Sequence, residues 1–119
     1  MLEAPRKLVW LVDTLERLKC FPPSVQQRLG FALYQAQIGK KHESAKILHG
    51  FAETVWQVRA DDQGGTYRAV YIAQFHGAVY VLHAFQKKAK SGISTSQMEV
   101  ELIRKRLQRA LKLAGIKGD

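Results

Sequence analysis

The stretch from Glu53 to Lys88, ETVWQVRADDQGGTYRAVYIAQFHGAVYVLHAFQKK, decides the fold. Three runs inside it, Glu53 to Arg59 (ETVWQVR), Thr66 to Ala73 (TYRAVYIA) and Ala78 to Phe85 (AVYVLHAF), are rich in Val, Tyr, Trp and Phe. Such residues suit a pleated, half-buried surface, so each run reads as a strand. ADDQGG, carrying Gly64 and Gly65, separates the first two runs, and QFHG separates the last two. A parallel pair needs a crossover of about a dozen residues or more, so connections this short join antiparallel neighbours. The stretch predicts a three-stranded antiparallel meander.

Toward the N-terminus, Lys7 to Val12 (KLVWLV) is a further β-rich run. Asp13 to Lys19 reads as a helix with Asp13 at its N-cap, and Pro22-Pro23 breaks the chain after it. A second helix opens at Pro23 or Ser24, where proline is tolerated in a first turn. Its apolar residues Val25, Leu29, Ala32, Leu33 and Ala36 recur at helical spacing, and Gly39 stops it at C′. Residues 40–50, KKHESAKILHG, are polar and read as loop. Beyond the meander, Ser96-Gln97-Met98-Glu99 fits a capping box, in which Ser and Glu side chains satisfy each other's orphan amides. Val100, Ile103, Leu107, Ala110 and Ala114 then share one face of a long helix, with Arg104, Lys105, Arg109 and Lys112 mostly on the other. Helices segregated from an antiparallel sheet give an α+β fold: a small sheet, two N-terminal helices and a C-terminal helix, expected as a single domain over 1–119.

The 119 residues are 46% hydrophobic and 24% charged, which excludes a disordered, collagen-like or coiled-coil chain. Nineteen Lys and Arg against ten Asp and Glu give a net charge of +9, which attracts polyanions such as nucleic acid. The basic excess is greatest over residues 87–119, with nine cations to three anions. Cys20 is the single cysteine and excludes an internal disulfide, which fits a reducing compartment. The apolar run Leu8–Val12 is far shorter than the ~18 residues of a membrane span and is followed by no small-residue cleavage site. A cytoplasmic location without membrane attachment is expected.

Few chemistries have their residues here. His42, His49, His76 and His83 have no metal-ligand spacing, so no metal and no cofactor is expected. Gly64-Gly65 lacks the Lys and helix of a phosphate-binding loop, and no Gly-x-Ser-x-Gly is present. What stands out is cation within the sheet. Arg59 ends one strand and Arg68 begins the next, His83 is in the third, and Lys87 and Lys88 follow it. Like charges close together across a hairpin are unfavourable unless an anion sits between them. Tyr67, Tyr71, Tyr80, Trp56 and Phe85 accompany them. A phosphodiester suits this set: Arg presents a fork to phosphate oxygens, aromatics stack on unpaired bases, and His or Lys moves a proton. Each residue also has a plainer reading. Arg59 and Arg68 can pair with Asp61, Asp62 or Glu53, His83 can be a satisfied core histidine, Lys87 and Lys88 a solvated strand exit, and Tyr71 and Tyr80 core residues.

The same stretch resembles the RelE/HigB-like toxin family in its phage-derived, HigB-type branch. The residues that carry the resemblance are Val58-Arg59, Tyr67-Arg68-Ala69-Val70-Tyr71 and Leu82-His83-Ala84-Phe85-Gln86-Lys87-Lys88, with Ala32-Leu33, Gly39 and Lys46-Ile47-Leu48-His49-Gly50 upstream. Gln57 stands where the family usually has Glu, and Gly92-Ile93-Ser94 where it often has Thr-Pro. The resemblance covers about residues 6–110 and implies the toxin of a type II toxin–antitoxin system, similar to small microbial ribonucleases. It implies metal-independent cleavage of mRNA, typically on the ribosome, and inhibition by a co-expressed antitoxin, often a helix-turn-helix protein of the HigA type. On this reading the substrate's 2′-hydroxyl attacks the phosphodiester. Arg59 and Arg68 clamp the phosphate, and His83 is the acid or base with Lys87 or Lys88 in reserve. Tyr67, Tyr71 and Phe85 meet the bases, and the basic face of the last helix docks on rRNA. Two other readings keep the basic sheet without the chemistry: a non-catalytic RNA- or DNA-binding regulatory module, and an interaction domain for an acidic protein.

Overall fold

A computed structural model describes residues 4–75, 77–87 and 95–115. In chain order the elements are β1 (Lys7–Trp10), α1 (Thr14–Lys19), α2 (Pro23–Gln37), β2 (Lys46–Leu48), β3 (Val55–Asp62), β4 (Gly65–Ile72), β5 (Ala78–Lys87) and α3 (Gln97–Leu113). The α+β class and the β3–β4–β5 meander are as the sequence predicts. The strands form one sheet in the order β1-β5-β4-β3-β2. Two features extend that expectation. β1 pairs parallel with β5, so the sheet is mixed, and the polar 40–50 segment contributes the short edge strand β2.

Alternation along the strands gives the sheet two buried faces. Val58, Ala60, Tyr67, Ala69, Tyr71, Val79 and Val81 pack with Leu18, Val25, Leu29 and Leu33 of α1 and α2. Val55, Val70, Ile72, Tyr80, Leu82 and Phe85 pack with Ile103, Leu107, Ala110 and Leu111 of α3. Leu29 and Leu33 are wholly buried, each worth about 2 kcal/mol in apolar transfer. Val70 pairs with His83 but Tyr71 pairs with Val81, so Leu82 is an extra residue in β5. This bulge turns Leu82 and His83 to the α3 face together.

The helix caps differ in detail from their sequence signatures. Asp13 precedes α1 but makes no side-chain cap bond; its carboxylate instead accepts from Arg17 Nε and Arg106 Nη2, each at 3.0 Å. Ser96 Oγ accepts the Glu99 amide at 3.3 Å as predicted, whereas the Glu99 side chain goes to His83 rather than back to Ser96. Gly39 ends α2 at φ +81°, a conformation that favours glycine. Val12, between β1 and α1, takes φ +53° without being glycine.

Candidate functional site

Register and alternation assemble a row of polar groups on the α3 face of the sheet. Arg59 pairs with Arg68 across β3 and β4, and Arg68 pairs with Phe85 across β4 and β5. One step toward the β3–β4 turn, Asp61 pairs with Thr66 and Thr66 with Lys87. One step the other way lie Gln57, Val70 and His83. Thr66 Oγ1 donates to Asp61 Oδ1 at 2.9 Å, and Thr95 Oγ1 donates to Gln57 Oε1 at 3.4 Å.

The two arginines differ in environment. Arg59 is exposed, with a loose 3.8 Å contact from Nη2 to Asp61 Oδ2. Arg68 is only 3% exposed. Burial, with the nearby charge of Arg59 adding to it, pulls its pKa below the usual guanidinium value, and Asp61 acts the other way. The Asp61 contact belongs to the plainer reading of Arg59, and the direct pairing of two cations belongs to the anion-binding one. Among the described residues, the arrangement offers one buried and one solvent-facing guanidinium on a common face, with Lys87 one pair further along.

His83 does not join them as an open group. It is 1% exposed. Its Nε2 lies 2.7 Å from Glu99 Oε1, and Arg106 Nη1 donates to Nδ1 at 3.3 Å. An Nδ1 that accepts fixes the neutral ring with its proton on Nε2, donated to Glu99. Burial is the largest influence on this imidazole and lowers its pKa, with Glu99 opposing. Arg106 also donates to the Leu82 carbonyl at 3.1 Å and to Asp13 at 3.0 Å. Glu99, His83, Arg106 and Asp13 therefore form one polar chain that ties α3 to β5 and to the start of α1. In this structure His83 is the satisfied core histidine, with both ring nitrogens engaged.

The aromatic residues are elsewhere too. Tyr67 and Tyr71 alternate with Arg68 and so face α2, buried at 6% and 1% exposure. Tyr67 packs against Phe21 with ring centroids 4.8 Å apart, and burial pushes the Tyr71 hydroxyl up to about 12. Neither shares a surface with the arginines, and neither ring is open to a base. Phe85 is on the arginine face but buried, stacked on His83 at 4.7 Å. Lys88 lies outside the described residues. Sequence reasoning left out Arg106, and it placed Glu99 in a capping box rather than on His83. Arg106 follows Lys105 in a basic run, but it falls three residues after Ile103, on the buried side of α3. No three His, Cys, Asp or Glu side chains converge as metal ligands among the described residues.

Comparison with known proteins agrees with this architecture. A solved structure of a mutant Escherichia coli toxin RelE in the free state is similar, with a TM-score of 0.56 and 18% identity, covering 89% of this chain and 98% of that one. The RelBE2 toxin–antitoxin complex of Mycobacterium tuberculosis contains a chain similar at a TM-score of 0.50 and 19% identity, covering 71% and 100%. These likenesses show the fold. No functionally curated protein matches. The model of the family described as "Phage derived protein Gp49-like" matches residues 16–108. With most of its length matched, the chain belongs to the phage-derived, Gp49-like family of RelE/HigB-like proteins.

Proposed function

We propose that this protein is the toxin of a type II toxin–antitoxin pair and a metal-independent endoribonuclease acting on mRNA at the ribosome. The observation that carries the reading is the pairing of Arg59 with Arg68 on one face of the sheet. Two cations held face to face repel in the free protein and attract a phosphodiester that brings negative charge between them. The substrate's 2′-hydroxyl attacks phosphorus, the bond to the 5′-oxygen breaks, and a cyclic phosphate and a 5′-hydroxyl result. Charge on the phosphoryl oxygens rises along this path, and the arginine pair stabilises it. Lys87, on the same face, is the described group best situated to move a proton, with Lys88 directly after it. His83 acts behind them as a positioning residue, fixing α3 against β5.

The engagement of both His83 nitrogens favours a second reading, a non-catalytic module that binds RNA through the same cations. One experiment separates the two. Purified protein is incubated in EDTA with mRNA, alone and on ribosomes, and fragments with new 5′-hydroxyl ends are sought. Cleavage is the expected result. Intact RNA in both arms, with folded protein and salt-dependent RNA binding, would move the assignment to the binding module.

A further inference from the structure

Helix α2 has a second apolar face. Its buried side, Val25, Leu29, Ala32, Leu33 and Ala36, packs on the sheet. On the outside, Phe31, Tyr34 and Ile38 are 54%, 46% and 36% exposed. Steps of three and four residues align them in one stripe along the helix. A single exposed apolar residue needs no explanation, but a contiguous stripe of three large ones marks a contact surface.

Gly30 supplies an independent observation. It lies mid-helix, directly before Phe31 and one turn before Tyr34. A Cβ added there meets nothing within 4 Å. No left-handed backbone requires glycine at this position either, since Gly30 is not among the positive-φ residues. Glycine inside a helix weakens it relative to alanine, and nothing within the described fold compensates. Its remaining use is to let another backbone come close.

Charge says what kind of partner fits. α2 has no acidic residue, and Arg28 flanks the stripe at one end. At the other end the chain leaves Gly39 into Lys40 and Lys41, which with Arg6 and Trp56 line a cavity of about 270 Å³. Lys41 Nζ lies 4.5 Å over the Trp56 ring. A second copy of a chain of net charge +9 would bring these cations against each other.

We propose that this face docks an acidic amphipathic helix of the antitoxin. Its apolar side chains lie on Phe31, Tyr34 and Ile38, its backbone crosses at Gly30, and its carboxylates reach Lys40 and Lys41. The proposal rests on the toxin reading above and names the surface that its partner grips. α2 covers the sheet face opposite to Arg59 and Arg68, so this contact supplies affinity without touching the arginine pair.

The test uses the full chain and the antitoxin, identified as the product of an adjoining gene that restores growth. Gly30→Ala and a Phe31→Ser/Ile38→Ser double variant are each expressed alone and with that antitoxin, and their affinity for it is measured by calorimetry. Both variants are expected to arrest growth alone, to escape rescue, and to bind at least ~10-fold more weakly. Gly30→Ala should also melt about 2–5 °C higher than wild type, which separates lost docking from lost folding. Full rescue and wild-type affinity in folded variants would overturn the docking surface and leave the toxin reading standing. No growth arrest by the wild-type chain would overturn the toxin reading and this partner with it. Concentration-dependent dimerisation of the wild type that Phe31→Ser abolishes would assign the stripe to a second copy instead.

Discussion

Arg59 and Arg68 stand directly opposite each other across the β3–β4 ladder, the first exposed and the second buried. This inequality separates what each contributes. The buried guanidinium is held in place by its surroundings, and the exposed one is free to follow a ligand.

Arg59→Ala is the cleaner test of the pair. An exposed side chain away from the core changes stability by about 0.5 kcal/mol at most, and here its removal relieves a repulsion. Its melting temperature should match or slightly exceed that of wild type. Cleavage should fall on the order of 10²-fold, the scale for losing one preorganised donor. A melting curve and an RNA cleavage assay on the same sample read both. Full activity at full stability would move the phosphate clamp elsewhere.

Stability should fall as solutions are acidified from pH 7 toward 5. Burial holds the His83 imidazole below its ordinary value of 6.5, with Arg106 and Arg17 acting in the same direction and Glu99 opposing. Between the depressed folded value and 6.5 the unfolded chain takes up a proton that the folded chain refuses. The contribution is therefore fully present above 6.5 and is lost as the pH falls through the depressed folded value. Urea midpoints measured across the range should decline in wild type and flatten in His83→Gln. Parallel profiles would show that other groups govern the acid limb.

Arg106 should behave as a structural group, with partners on β5 and at the start of α1. Arg106→Leu leaves the Leu82 carbonyl and His83 Nδ1 without their donor and removes the ion pair to Asp13. A loss of about 2–3 kcal/mol is expected, the cost of stranding buried polar groups. Combined with Asp13→Asn, the double variant should lose less than the sum of the singles, by about 0.5–1 kcal/mol. Additive losses in urea titrations would mean that the pair does not couple.

Gly64→Ala should disturb the site from its turn. A Cβ at Gly64 would come within 2.7 Å of Tyr67 Oη, and the Tyr67 ring is buried and packed on Phe21. About 1–2 kcal/mol of destabilisation is expected, as for overpacking. The turn sets the register that puts Arg59 opposite Arg68, so cleavage should fall alongside the melting temperature. An unchanged melting temperature would show that the turn relaxes freely.

The meander was legible because Glu53–Phe85 combines β-rich runs with connections too short for anything else. α2 was legible from its 3.6-residue period, and the start of α3 from Ser96. What escaped was decided by partners distant in sequence. β1 is four residues whose mate is 71 positions on, from Lys7 to Ala78. β2 is three residues, and only its pairing with β3 makes it a strand. His83 carries no local sign of Glu99 and Arg106, because a bulge at Leu82 and the packing of α3 bring them together. The tyrosines were a different case. Tyr67 and Tyr71 are odd-numbered neighbours of Arg68 in one strand, and parity alone assigns them to the opposite face.

The β1–β5 pairing also sets a timetable. At roughly 5–20 residues per second, translation delivers β5 about 4–14 s after β1. Until then the first strand has no neighbour in the sheet, and the Asp13–Arg106 link must wait for Arg106 of α3, 93 residues downstream of Asp13. β5 and α3 thus act as a latch on everything made before them. The strand order itself delays each new molecule, because its basic face is completed only once β5 and α3 have been made.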